Sequence, residues 1–393
     1  MKKQALLFLL LGSLVATGCN NNNNNPSTSK GPEVEDLGVK ETHTDLMKQY
    51  LADPDWTSIK TYVPKVNAED RSYHNDQSQP NPIELKFDEV EEAEKYFVQI
   101  AKDVEFKDAK LVEADTKAYN FYNSELGQEY YYRAAVSEEA LAVAKVYKFK
   151  VDETAPRFIH VDGVINFRDS GGWKSSLVPN GVTKQGMYYR CAQFDDQYNK
   201  SKVNITEAGK AAIRELGIKV DIDMRDSNQV SPTSPLKSDD YDVEILKASV
   251  ASGTEDGRWE GTHRQDTNIA ATYKKIFEAI AVADEKPIAL HCTHGADRTG
   301  IVSWFLLGLL GVSKEDCARD YVMTRFAGER AVLAVDDSSG KSEIAKWNAK
   351  TEALEGATWA DKTYKHLNED FGIEADTLET IREKFVEGYK RAA

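Results

Sequence analysis

Long apolar runs, cysteines and basic charge are what this 393-residue sequence has least of. The apolar stretch at the amino end, Ala5 to Leu11, is far shorter than the roughly 20 residues that cross a bilayer. Four cysteines do not make the disulfide framework of a small secreted scaffold. Lys and Arg number 50 against 65 Asp and Glu, for a formal net charge of −15. That balance argues against nucleic acid or an anionic lipid surface as a general partner, so any anion must be held locally. His43, His74, His160, His263 and His366 are scattered without metal-ligand spacing, and no glycine-rich nucleotide loop is present. No metal or other cofactor is expected.

What is present is one dense stretch, His291-Cys292-Thr293-His294-Gly295-Ala296-Asp297-Arg298-Thr299-Gly300. A cysteine and an arginine six positions apart, with a glycine-bearing loop between them, suit cleavage of a phosphate ester. The thiolate of Cys292 attacks phosphorus while backbone N–H groups of Thr293, His294, Gly295 and Ala296 hold the non-bridging oxygens. The planar fork of Arg298 takes two of those oxygens at once, which lysine cannot do. Before the loop, Lys286 to Leu290 reads as a buried strand; after it, Ile301 to Val312 reads as a core helix. The helix N-terminus then faces the anion and lowers the cysteine pKa. Thr299 is placed to donate to the sulfur, Gly300 closes the loop, and His291 is expected to orient it.

These ten residues resemble the HC-x5-R-[ST]-G signature of the cysteine-dependent tyrosine phosphatase superfamily. Asn166-Phe167-Arg168-Asp169-Ser170-Gly171-Gly172, then Gly186 to Cys191, then Asp223-Met224-Arg225-Asp226 are similar to three blocks of the secreted bacterial tyrosine and lipid phosphatases of the mycobacterial type. The resemblance covers residues 155–393. It implies an α/β fold with a central, mostly parallel sheet flanked by helices, and a phosphocysteine intermediate that water hydrolyses without a metal. In that branch an aspartate precedes the loop arginine, which makes Asp297 a candidate general acid. An anchoring role for Asp297, bonded to backbone N–H groups, stands equally beside it. Asp226 and Asp169 are rival acids, since no Trp-Pro-Asp segment is present, and Arg168 and Arg225 are expected to hold the loop or the phosphate. Ala296 stands where the branch often has lysine, and only His294 restores part of that charge. This weighs against phosphoinositides, whose head groups need several cations.

The amino end has the layout of an export signal. Met1-Lys2-Lys3 precedes the apolar stretch, and Ala16-Thr17-Gly18-Cys19 resembles the bacterial lipobox, with Cys19 as the lipidated residue. A plain secretory signal is the alternative. Residues 1–19 are thus expected to be a signal peptide and 20–35 a polar tether. The expected location is the bacterial cell envelope, with a membrane anchor through Cys19. Cys317 reads as a core residue. Cys191 is a buried thiol or, alternatively, a disulfide partner protecting Cys292.

The remaining length requires a second folded unit. Short aromatic or β-branched runs at Leu85-Lys86-Phe87, Tyr96 to Ile100, Ala118 to Phe121, Tyr130 to Val136 and Val146 to Val151 suggest a β-sandwich. Their order resembles a fibronectin type III domain over residues 80–153, read as a spacer or docking module for protein or glycan. Residues 36–79 have no functional reading, although Trp56, Tyr62 and Tyr73 are expected to pack on a neighbouring unit. The expected activity is hydrolysis of protein phosphotyrosine. Inositol phosphates or phosphoinositides are the rival substrates, and a binding or adhesion lipoprotein with an inactive loop is the alternative of another class.

Overall fold

The computed structural model describes residues 34–62, 77–88, 93–195, 204–225, 232–249, 269–283, 286–327 and 343–391. The expected signal peptide with Cys19, the tether as far as residue 33, Tyr73 and Asp226 lie outside the described residues.

Strands β1 (Val34–Lys40), β2 (Ile83–Lys86), β3 (Tyr96–Ala101), β4 (Lys110–Ala114), β5 (Ala118–Phe121), β6 (Glu129–Ala135) and β7 (Val146–Val151) build the first unit. They form a five-stranded sheet in the order β1-β7-β6-β3-β4 and a two-stranded sheet, β2-β5. All neighbours are antiparallel except β1 and β7, which run parallel. One face of each sheet is apolar: Ile83 and Leu85 of β2 meet Val98, Tyr132 and Phe149 in a shared core. β1 and β4 have no counterpart among the expected strands. The sequence of β1 carries three charges in seven residues and none of its residues is fully buried, so it lacks the alternating apolar signal on which such expectations rest. Its first two residues, 34 and 35, had been assigned to the tether.

The chain then crosses to the second unit. Thr44 caps the helix Asp45–Ala52 by accepting the Met47 N–H at 3.2 Å. That helix buries Met47 and Tyr50 in the second unit's core, against which Trp56 and Tyr62 also pack. Arg319 donates to the carbonyls of Tyr50 (3.1 Å) and Asp53 (2.9 Å). Residues 34–62 therefore belong to both units.

The second unit contains β8 (Arg157–Phe158), β9 (Arg168–Asp169), a small hairpin of β10 (Lys174–Ser175) and β11 (Gly181–Val182), β12 (Tyr188–Cys191), β13 (Val220–Asp223), β14 (Glu244–Lys247) and β15 (Ile288–His291). Its main sheet has the order β14-β13-β15-β12-β9-β8, with the first four strands parallel and the last two antiparallel. β15 is central and buried along its whole length, as a parallel strand covered on both faces must be. Ile288 and Leu290 enter one apolar core and Ala289 the other.

The helix after β15 spans Asp297–Leu309, beginning four residues before the expected start at Ile301. The sequence expectation waited for the first apolar residue, whereas the first turn is made of Asp297, Arg298, Thr299 and Gly300. Every residue from Arg298 to Leu309 is buried, consistent with a helix that is apolar on all sides. Ser313 caps the following helix, Lys314–Val322, by accepting the Asp316 N–H at 3.0 Å. That helix brings Cys317, Asp320 and Tyr321 behind the loop.

Candidate active site

The loop between β15 and the helix Asp297–Leu309 turns at Gly295, whose φ is +65°. A Cβ there would lie 2.3 Å from the Cys191 carbonyl oxygen, so only glycine fits. Gly300 is required for packing: a Cβ would come within 2.6 Å of the Tyr321 ring. No backbone carbonyl among the described residues accepts the N–H groups of Thr293, Gly295 and Ala296.

The loop's carbonyls are tied from behind. Asn166, itself left-handed at φ 56°, donates its side-chain N–H to the carbonyls of His294 (3.0 Å) and Gly295 (3.1 Å). Arg190 adds a second bond to the Gly295 oxygen at 2.8 Å. Both arginines of this layer converge on one carboxylate: Asp320 accepts from Arg168 Nε at 2.7 Å and from Arg190. Arg168 also donates to the Asp320 carbonyl (2.7 Å) and to Asn166. All three charged side chains are 2% exposed or less. With its carbonyls drawn backward, the loop turns its N–H groups toward the opposite, open side, as an oxyanion cradle requires.

A second layer lies beside the loop. His291 Nε2 is 3.0 Å from Asp221 Oδ1, and its Nδ1 is 3.3 Å from the Cys292 carbonyl. Both partners are acceptors, which makes both ring nitrogens donors. Burial pushes the His291 pKa down, but Asp223 and Asp221 outweigh it and hold it above the ordinary histidine value. Asp223 also binds Arg225, whose second partner is Asp195 at 2.8 Å. Arg225 therefore holds the strand end beside the loop, through Asp223 and Asp195. Arg298 donates to the Met224 carbonyl (2.9 Å) and to the Thr293 hydroxyl (3.3 Å).

The outcome at the sulfur is a depressed pKa. Burial alone would raise the Cys292 thiol. The Arg298 guanidinium, the Thr299 hydroxyl and the Thr299 N–H together outweigh it, while Asp297 pushes the other way. Asp297 lies in the first helical turn.

Asp169 stands elsewhere. Its carboxylate accepts Arg157 at 3.0 Å and the N–H groups of Gly171 (2.8 Å) and Gly186 (2.7 Å). Neighbours on a strand point to opposite faces, so Arg168 supports the loop and Asp169 faces away from it. The expectation of Asp169 as a rival acid is corrected accordingly. Cys191 is a free thiol in the apolar cluster with Ile159 and Phe194, and burial drives its pKa well up, the condition of an inert structural cysteine.

The tyrosine phosphatase family model matches residues 159–387, more than half of the chain. The chain belongs to the tyrosine phosphatase family. A tyrosine-protein phosphatase of Nostoc commune is 29% identical over 132 residues, covering 30% of this chain and 45% of that protein; the chain thus spans less than half of that relative's length. Two solved structures of TpbA from P. aeruginosa, one of them a cysteine-to-serine variant in complex with pTyr, are 15% identical. They cover 47% and 46% of this chain and 91% and 97% of their own, with TM-scores of 0.27 and 0.26.

Three supports of this phosphatase-family loop were missed by the sequence reading. Asn166 and Arg190 lay inside the quoted blocks, but nothing marked them as ligands of loop carbonyls. Asp320 carried no signal, because an acid in a helix reads as solvent-facing.

Asp320→Asn leaves two buried guanidiniums without a counter-charge and is expected to lower the unfolding free energy by about 3–5 kcal/mol in urea titrations. The raised His291 pKa gives a signed pH dependence. Its stabilisation is complete below the ordinary value of 6.5 and is lost as pH rises through the higher folded-state value. In a Cys292→Ser background, which removes the thiol's opposing contribution, adding His291→Asn should flatten the decline in stability as pH rises above 6.5.

Proposed function

We propose that the chain is a cysteine-dependent phosphatase that hydrolyses phosphate monoesters, with protein phosphotyrosine as its preferred class. The observation that carries this reading is Cys292, a buried thiol in the loop that leads into a thirteen-residue helix, whose pKa is lowered by Arg298 and Thr299 of that helix's first turn. A thiolate, a planar cation and inward-turned N–H groups around one loop are what in-line phosphoryl transfer to sulfur needs.

In this mechanism the Cys292 thiolate forms an S–P bond as the P–O bond to the leaving group breaks. Arg298 and the loop N–H groups take the charge on the equatorial oxygens. Asp297 gives its proton to the departing phenolate oxygen, and then takes one from the water that attacks the phosphocysteine and releases phosphate. Thr299 stabilises the thiolate when it leaves. Ala296 in place of a cation favours a single phosphate ester over multiply phosphorylated inositol head groups. The relative named as a tyrosine-protein phosphatase points the same way.

The fibronectin type III-like reading of the first unit is supported by the four-stranded run β7-β6-β3-β4 facing β2-β5, an antiparallel sandwich of that general type. Export as a lipoprotein, with Cys19 lipidated and the enzyme held at the cell envelope, remains supported by the sequence alone.

Purified protein should release phosphate from phosphotyrosine peptides faster than from phosphoserine peptides, phosphoinositides or inositol hexakisphosphate, and Cys292→Ser should cut that release by about 10⁴-fold or more while retaining binding. Faster release from inositol compounds would transfer the assignment to them, and Cys292-independent release would end it. Asp297→Asn should slow esters with poor leaving groups by about 10²-fold or more and spare those with good ones. Equal slowing of both would remove Asp297 from the acid's role.

A further inference from the structure

Besides the segment 34–62 and the Lys110–Glu215 ion pair (2.7 Å), the sandwich meets the phosphatase unit through the loop of residues 122–126 between β5 and β6. Tyr122 stacks on the His160 ring, with centroids 4.3 Å apart. Asn123, left-handed at φ 60°, exchanges two bonds with the backbone of His160: its Nδ2 donates to the carbonyl (3.0 Å) and its Oδ1 accepts the N–H (2.7 Å). Leu126 exchanges two more with the Gln185 side chain, at 2.8 and 3.0 Å. The carbonyls of Asn123 and Ser124 both point at a single guanidinium, that of Arg157.

Arg157 joins this loop to the catalytic machinery. It sits in β8 directly opposite Asp169 of β9 and donates to the Asp169 carboxylate. The two side chains are 5% and 0% exposed. Asp169 is fixed in turn by Gly171 and Gly186. The next residue back in β9 is Arg168, which points to the other face and holds Asp320. From there Arg190 reaches the Gly295 carbonyl.

We propose that Arg157 is a positioning residue of the phosphatase reaction, through which the 122–126 loop of the sandwich sets the orientation of β9 and so of the phosphate loop. This extends the phosphatase reading and makes the sandwich part of the catalytic scaffold as well as a docking module. Guanidinium geometry matters here, because Arg157 serves three acceptors in two units. Lysine, with one nitrogen, cannot span them. Coupling of this kind runs through a contiguous chain of buried polar contacts, and its strength must be measured.

The test uses the full chain and three variants: Arg157→Lys, Asn123→Ala on the sandwich side of the contact, and Lys86→Ala, whose ion pair with Glu84 (2.9 Å) is exposed and lies in β2, outside the 122–126 loop. The rate of iodoacetamide alkylation of Cys292 is followed against pH by mass spectrometry. This readout needs no substrate, so it separates failure of the proposal from failure of the phosphatase reading. Loss of the set loop geometry should raise the alkylation midpoint of Arg157→Lys and Asn123→Ala by about 0.5–1 pH unit and leave Lys86→Ala at the wild-type value. Where turnover is present, kcat for the first two should fall with KM nearly constant. A lower melting temperature with an unmoved alkylation midpoint in both variants would show that Arg157 only stabilises the fold, and would overturn the proposal.

Discussion

The carboxylate of Asp320, shut away from water between Arg168 and Arg190, is the point on which the phosphate loop leans. A buried charge of this kind is costly unless every donor and acceptor around it is matched. Here one oxygen takes Arg168 and the other takes Arg190, and Arg168 has further partners in the Asp320 carbonyl and Asn166. The free ends of the network, Arg190 and Asn166, grip the carbonyls of His294 and Gly295. Because a peptide's N–H and C=O point in opposite directions, holding the oxygens on one side fixes the donors on the other. The electropositive cradle is thus made by backbone direction, and a chain with a net charge of −15 builds it from very few cations.

The same logic extends to the sulfur. Burial would keep Cys292 protonated and inert, as it does Cys191 in the neighbouring strand. What separates the two cysteines is their surroundings: Cys292 has Arg298 and the first helical turn in front of it, whereas Cys191 lies in an apolar cluster with Asp221 on its polar side. Two thiols at the ends of adjacent strands, Cys191 closing β12 and Cys292 just past β15, are thereby given opposite chemistry.

Much of this was legible in the sequence because the informative residues are local. Strand, loop and helix follow one another within about twenty-five residues, and Cys292, Arg298 and Thr299 announce their roles by spacing. Leu85, Tyr96, Tyr130 and Val146 similarly mark strands by alternation or aromatic content. What was not legible depends on distant partners. Asp169 and Arg168 are adjacent in one motif, and only the pleat of β9 shows that they serve opposite faces of the sheet. Asp320 acquires meaning from residues more than a hundred positions away. β1 is held as a strand by pairing with β7, since its own acidic sequence gives little reason to extend. The helix start at Asp297 was obscured because a first turn built for chemistry has no apolar periodicity.

The passage of residues 34–62 through both units has a consequence for how the molecule is assembled. β1 pairs with a strand that begins at Val146, and the helix Asp45–Ala52 rests on Arg319, 269 positions beyond the Tyr50 carbonyl that it binds. During synthesis from the amino end, this segment is made first and finds its final neighbours last. Closing so long a loop carries an entropic penalty that is recovered only when the far partner is already folded. The contacts of the amino-terminal segment are therefore completed only after Arg319 has been made, and the segment then acts as a clasp across both units.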